Sequence, residues 1–97
     1  MPDFAPSHPG EVLREDYLKP IGMSQYALAK ALGVPQIRIS EIVNGRRAIT
    51  PDTALRLARY FRTSAEFWLG MQATHDLERA RDAVGASIEA AVKPRAA

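Results

Sequence analysis

The sequence predicts an all-α domain built from five helices. Two observations favour this fold class. Apolar residues recur at the 3.6-residue spacing of helices, and glycine and proline divide the chain into short segments of that kind, whereas strand patterns are scarce. The chain has 97 residues, of which 46% are hydrophobic and 25% charged. A chain of this length has room for one small domain, and we find neither an internal repeat nor a long linker.

The first two helices are delimited by serine, proline and glycine. The apolar spacing predicts a first helix over about residues 9–18, with a proline in its first turn and with Pro20 and Gly22 closing it. Ser24 is a favourable N-cap for a second helix, which is predicted to end at Gly33.

The third and fourth helices have equally clear limits. The third begins near Pro35 and stops at the Asn44-Gly45 pair, which is typical of a helix C-terminus. Residues 50–52, Thr-Pro-Asp, supply a cap, a first-turn proline and a first-turn acid for a fourth helix that ends near Phe61.

The fifth helix opens at residues 63–66, Thr-Ser-Ala-Glu, which fit a capping box, and extends to about Val84. The predicted organisation is therefore an N-terminal lead (1–7), one helical domain (8–82) and an alanine-rich C-terminal extension (83–97). We expect this extension to be frayed or disordered.

The segment from Gln25 to Asn44 carries the most specific pattern in the chain. Two short helices are joined there by only a few residues, so the residue at their crossing must be small and the turn must allow positive φ. Ala29 and Gly33 provide these two properties. A shared core would take Leu28, Leu32, Val34, Ile39 and Ile42. This pattern predicts a helix-turn-helix, although a helical hairpin with no DNA role stays open as an alternative.

On a helical wheel, the third helix turns Ile39, Ile42 and Val43 towards the core, and the opposite face points outwards. The first turn of such a helix normally enters the major groove of DNA. An amide at Gln36 suits adenine, and Arg38 can reach guanine or a phosphate. The outward Ile37 suits a thymine methyl group, but it is equally compatible with a single exposed apolar residue.

Donors to phosphate are expected on both sides of this helix. Ser24 and Gln25 begin the second helix, where backbone N–H groups favour an anion. Asn44, Arg46 and Arg47 follow the third helix, with Asn44 also serving as its cap. The alternative for the two arginines is a solubilising role.

Positive charge is concentrated in the middle of the chain. The formal net charge is only +2, but residues 36–62 hold six arginines against two acidic residues, a local charge of +4. Arg56, Arg59 and Arg62 recur at three-residue intervals, a stripe that is more often a solvated face than a contact surface.

The fifth helix has apolar residues spread over a wide arc of its wheel, at Phe67, Trp68, Leu69 and Met71. One face can pack on the domain, and we expect a two-fold partner to cover the other. Such a homodimer would also pair two recognition helices about 34 Å apart to match a palindromic operator. The alternative is that Trp68 completes the core of a single domain.

Several classes of protein are disfavoured. The chain has no cysteine, and His8 and His75 are the only imidazoles, so no disulfide and no metal site are expected. Phosphate-binding loops and nucleophile elbows are absent, which argues against an enzyme and against a cofactor. The sequence has neither a long apolar span nor a basic-then-apolar start, and we expect a cytoplasmic protein with no membrane partner.

Three further runs are specific, namely His-Pro-Gly-Glu at residues 8–11, "RISEIVNG" at 38–45 and "SAEFWL" at 64–69. Together they resemble the HigA family of antitoxins, a branch of the Xre, lambda-repressor-like helix-turn-helix proteins. The resemblance covers about residues 8–82. It implies a compact five-helix lambda-repressor-like fold and a dimer that binds operator DNA and represses its own operon. It further implies a partner toxin of the HigB kind, a small RelE-type ribonuclease.

The resemblance also assigns sites by position. The implied base-reading residues are Gln36, Ile37, Arg38, Ser40 and Glu41, and the implied DNA-backbone contacts are Ser24, Gln25, Asn44, Arg46 and Arg47. A stand-alone Xre-type regulator without a toxin partner remains the alternative function.

Overall fold

The computed structural model describes residues 8–96 as five helices, with no β-strand in that range. Helix α1 spans residues 9–21 and is continuous through Pro9–Val12, Leu13–Leu18 and Lys19–Ile21. Helices α2 (Gln25–Leu32), α3 (Gln36–Val43) and α4 (Pro51–Phe61) follow. Helix α5 spans residues 65–91 through Ala65–Ala80, Arg81–Gly85 and Ala86–Ala91. The predicted all-α class is confirmed. The predicted lead, residues 1–7, lies outside the described residues, as does residue 97.

Helix α1 continues through Pro20, where the sequence predicts an end. A proline inside a helix normally breaks it, because the ring lacks an N–H and crowds the carbonyl four residues earlier. Here the stretch Leu13–Leu18 is a wider π-helix, in which the Lys19 N–H donates to the carbonyl of Arg14, five residues back. The wider turn accommodates the proline ring, and the helix ends at Ile21.

The hydrophobic core takes side chains from all five helices. The largest fully buried residues are Trp68, Leu13, Leu28, Ile39, Ile42, Leu57, Thr53 and Pro9. All five apolar positions predicted for the helix-turn-helix are buried as well. The core therefore fixes α2 and α3 against the other helices.

Trp68 belongs to this core and not to the surface predicted for a dimer. Its side chain is completely buried, and its ring lies 5.1 Å from that of Tyr17. The indole Nε1 donates to the Thr63 hydroxyl at 2.8 Å. Thr63 is therefore a partner of the indole, while the N-cap of α5 is Ser64, whose hydroxyl accepts the Phe67 N–H at 3.0 Å. A residue buried in this way is unavailable to a second subunit.

Helix α5 is longer than predicted. The expected end lay near Val84, with residues 83–97 frayed or disordered, but the helix continues to Ala91, and of the described residues in this extension only 92–96 have no regular structure. Adding a residue to an existing helix is much easier than nucleating one, and alanine has the highest helix propensity. The long α5 contributes to an elongated shape of 53 × 32 × 22 Å. Within residues 8–96, no helix combines the length and apolar character needed to cross a membrane.

The start of α1 packs directly on the end of α3. A Cβ atom at Gly10 would overlap the carbonyl oxygen of Ile42, so only glycine allows this backbone contact. The neighbouring residues support the same junction, because His8 is the N-cap of α1 and Pro9 occupies its first turn. The His-Pro-Gly run thus has a structural reason: it seats one helix on the last turn of another.

We expect Gly10→Ala to destabilise the fold by at least about 2 kcal/mol, because the added methyl group meets backbone that cannot move aside without shifting a helix. The measurement is the free energy of unfolding from urea denaturation. Gly70→Ala is the matched control, since a Cβ there has open space around it in the second turn of α5. That variant should gain about 0.5–1 kcal/mol. Equal effects of the two substitutions would contradict the proposed junction.

Candidate nucleic-acid interface

Helices α2 and α3 form a helix-turn-helix in which the turn is made as predicted. Gly33 has φ 72°, a left-handed conformation that suits glycine, and it ends α2. The N–H of Val34 donates to the Ala29 carbonyl at 3.0 Å, and Ala29 itself is buried. The small residue and the glycine therefore occupy the positions that the sequence assigned to them.

The outer face of α3 carries all five predicted base-reading residues. Gln36 and Ile37, the first two residues of the helix, are exposed, with Ile37 at 59%. Arg38, Ser40 and Glu41 are half-buried, whereas the opposite face of α3 lies in the core. The helix thus presents a polar surface with one apolar side chain at its N-terminal turn.

Arg38 does not extend freely into solvent. Its Nη1 donates to Oδ1 of Asp52 in the first turn of α4 at 2.9 Å. Nε of Arg56 donates to the same oxygen at 2.8 Å, and Nη1 of Arg56 donates to the carbonyl of Leu32 at 2.7 Å. Hydrogen bonds from Arg56, and next from Arg38, lower the pKa of the Asp52 carboxyl group below its ordinary value of 3.8.

A second ion pair joins α3 to the loop that follows it. Arg47 donates from Nε to Oε1 of Glu41 at 2.8 Å, and its Nη2 lies 2.6 Å from the same oxygen. The carboxylate therefore orients one of the cations predicted to contact phosphate. Sequence reasoning missed both ion pairs, because partners 6 and 14 residues apart have no local spacing signal.

The predicted backbone contacts lie at the start of α2 and just after α3. Ser24 is the N-cap of α2, where its hydroxyl accepts the Ala27 N–H at 3.0 Å, and Gln25 is the first residue of that helix. Asn44 caps α3 by donating from Nδ2 to the Ser40 carbonyl at 2.9 Å. These roles as helix caps are structural.

The loop after α3 is fixed from the opposite side by a buried glutamine. Oε1 of Gln72 accepts the Ile49 N–H at 2.8 Å, and its Nε2 donates to Asp76 at 2.9 Å. Gln72 is only 6% exposed, so both groups find partners inside the protein. The available signal was one glutamine on the buried side of α5, which a wheel shows but cannot assign to a partner.

Comparison with known proteins identifies this architecture. The family model HTH_3, helix-turn-helix, matches residues 15–68, which is more than half of the chain. The chain belongs to this family. The match includes α2, the turn and all of α3, and it ends at the buried tryptophan of α5.

Within the helix-turn-helix family, the similarity points to the HigA group. A solved antidote protein of the HigA family from Coxiella burnetii is 46% identical, with a TM-score of 0.90 and coverage of 95% of this chain and all of that one. The antitoxin HigA of Pseudomonas aeruginosa, solved with the higBA promoter, is 43% identical with a TM-score of 0.91, covering 94% and 99% of the two chains. Virulence-associated protein I of Dichelobacter nodosus is 62% identical over 75% of this chain and 68% of its own length. The chain is thus a HigA-family helix-turn-helix protein.

In this HigA-family chain, a histidine pair joins the start of α1 to α5. Nδ1 of His8 accepts the Gly10 N–H at 2.9 Å, and the ring meets that of His75 edge-on at 5.1 Å between centroids. Burial, and next the neighbouring His75, lower the pKa of His8 from its ordinary 6.5, while the Asp76 carboxylate and, less strongly, a hydrogen bond with the Arg47 backbone oppose this shift. The folded protein therefore favours the neutral imidazole of His8.

Acid should consequently weaken the fold over the range in which His8 titrates. The stabilisation is complete above pH 6.5, where His8 is neutral in both states, and it is lost as the pH falls through the lower pKa of the folded state. His8→Asn keeps an N-cap but cannot take up a proton there. We expect its unfolding free energy to fall less between about pH 7 and 5 than that of the wild type. Ser64→Asn is the control for changing a cap, and parallel curves for His8→Asn and wild type would refute the assignment.

Proposed function

We propose that the chain is an antitoxin that binds operator DNA as a dimer, represses its own operon and neutralises a HigB-like, RelE-type ribonuclease. The observation that carries the DNA-binding part is the outer face of α3, where exposed Gln36 and Ile37 stand at the first turn beside Arg38. The relative solved with promoter DNA supports the same use of the fold. In this function the chain acts as a binding protein and has no catalytic role.

Each side chain on this face has a chemistry that suits a base edge. The Gln36 amide matches adenine, the Ile37 side chain matches the thymine methyl group, and the Arg38 guanidinium matches guanine. Ser40 and Glu41 lie further along the helix, where a hydroxyl or a carboxylate can accept a hydrogen bond from a cytosine amino group.

Phosphate contacts would hold this face in register. Ser24 and Gln25 offer the N-terminal N–H groups of α2, and Asn44, Arg46 and Arg47 follow α3. Among residues 8–96, Arg46 forms no ion pair with an acidic side chain, whereas Arg47 is engaged with Glu41. Arg46 is accordingly the stronger candidate for a phosphate contact.

A homodimer would present two such faces to a palindromic site. Because Trp68 is buried, we transfer the proposed interface to other apolar side chains of α5. Phe67 is 41% exposed, whereas Leu69 and Met71 are half-buried against the core and contribute less. Further along α5, exposed apolar side chains recur at helical spacing, at Leu77, Val84 and Ile88.

Operator binding is tested with the DNA directly upstream of the gene that encodes this chain. We expect the protein to shift this DNA in a gel, with two chains bound per site. The logarithm of its binding constant should fall linearly with the logarithm of the salt concentration. Arg46→Ala should weaken binding to all DNA sequences alike, because it removes a phosphate contact. The slope of log affinity against log salt concentration should become shallower by about 1. Arg38→Ala should reduce the free energy of operator binding by about 1–3 kcal/mol and relax the sequence preference at one base pair.

These two variants control for each other, since both remove one positive charge. Absence of any shift at low salt, with or without the toxin, would refute the repressor function. A flat salt response would refute the phosphate contacts.

The toxin partner is tested in the neighbouring reading frames. An antitoxin should be encoded beside a basic chain of about 100 residues. The two proteins should co-purify, and co-expression of this chain should abolish the growth arrest that the toxin causes. A stand-alone regulator is the alternative. It would bind its operator equally well but would have no such neighbour, and co-expression would leave the activity of an added HigB-like toxin unchanged.

A further inference from the structure

We propose that Asp52 is a positioning residue for sequence recognition: it holds the Arg38 guanidinium in the orientation in which it reads a base. This inference rests on the proposed DNA-binding function and adds a residue from outside the helix-turn-helix. Asp52 lies in the first turn of α4, the helix that follows the recognition helix and its loop.

The geometry gives Asp52 a fixed place from which to act. Its Oδ1 accepts hydrogen bonds from Arg38 at 2.9 Å and from Arg56 at 2.8 Å. Arg56 is in turn anchored to the Leu32 carbonyl at the end of α2, at 2.7 Å. A continuous set of hydrogen bonds therefore connects the end of α2, the first turns of α4 and the recognition helix α3.

Stability alone does not account for this arrangement. Exposed ion pairs contribute little to folding, because solvent screens them and because ordering two long side chains costs entropy. The Asp52 side chain is 58% exposed, and those of Arg38 and Arg56 are 28% and 40% exposed. Such a network can instead hold a flexible arginine side chain in one conformation in the protein without DNA, which lowers the entropy cost of binding.

The hydrogen-bonding capacity of Arg38 is compatible with this role. A guanidinium has five N–H groups. One N–H of Nη1 is used by Asp52 in the described part of the chain, so four remain for a base edge or a phosphate. The carboxylate fixes one side of the planar group and leaves an edge able to make a paired contact with guanine.

A negative charge on a DNA-facing surface has a second effect that separates positioning from simple electrostatics. Asp52 should lower affinity for every sequence through repulsion of phosphate, while it raises the preference of Arg38 for its own base. The informative quantity is therefore the ratio of affinities for two sequences and not the affinity for one.

The test uses the full chain and the upstream DNA fragment, together with variants of that fragment carrying a single base-pair change at the position where Arg38→Ala relaxes the preference. We expect Asp52→Asn to reduce the discrimination at that position roughly three- to tenfold, the range that follows from losing the preorganisation of one side chain. Affinity for the altered fragments should stay constant or rise. In the Arg38→Ala background, Asp52→Asn should produce no further loss of discrimination.

Glu66→Gln is the matched control. Glu66 is an exposed acid in the first turn of α5, so its substitution changes the net charge equally without touching Arg38. This variant should discriminate like the wild type. Thermal unfolding followed by circular dichroism verifies that the Asp52 and Glu66 variants are folded under the binding conditions.

The outcomes separate this inference from the proposed function. If the wild-type protein binds all the DNA fragments equally, the proposed sequence-specific function is wrong. If Asp52→Asn discriminates between the fragments as well as the wild type does, only the positioning role is wrong. The role is likewise overturned if Asp52→Asn reduces discrimination to the same extent with and without the Arg38 side chain, because the effect then does not pass through that arginine.

Discussion

The surface of α3 depends on how tightly three other helices hold this helix and its side chains. With eight residues, α3 is too short to be stable alone, so its orientation comes from packing. Gly10 lets the start of α1 rest on the Ile42 carbonyl, the Gly33 turn ties α3 to α2, and Asp52 of α4 reaches Arg38 on its outer face. Each contact acts on a different part of the helix. Together they present one defined polar face, which is what a sequence-reading element needs.

Local chemistry accounts for what the sequence predicted well. Ser24, Gly33 and the Asn44-Gly45 pair act on their own or neighbouring backbone, so their effect is visible within a few residues of sequence. The identity of the outward face of α3 also follows from periodicity alone. The same reasoning failed at Pro20, because it treats every helix as regular and cannot anticipate a π-helical stretch.

Long-range partners explain the remaining differences. A helical wheel shows that Trp68 should be buried, but not whether this chain or a second one buries it. In the structure, Thr63 and Tyr17 of the same chain contact the Trp68 side chain. The pairing of Gln72 with Ile49 spans 23 residues, and nothing in the spacing connects them. The net charge of residues 36–62 likewise does not show which charges are paired. Asp52 pairs with Arg38 and Arg56, and Glu41 pairs with Arg47, so part of the positive charge is neutralised by specific partners.

The C-terminal part of α5 differs from the core in how much its side chains affect the recognition helix. Residues 86–91 are exposed, and they pack mainly on the preceding turns of the same helix. Substitutions there leave the geometry of the recognition helix intact, whereas substitutions at Gly10 or Ile42 do not. Apart from Ile88 of the proposed dimer interface, the exposed side chains of this tail can therefore vary without disturbing the outer face of α3.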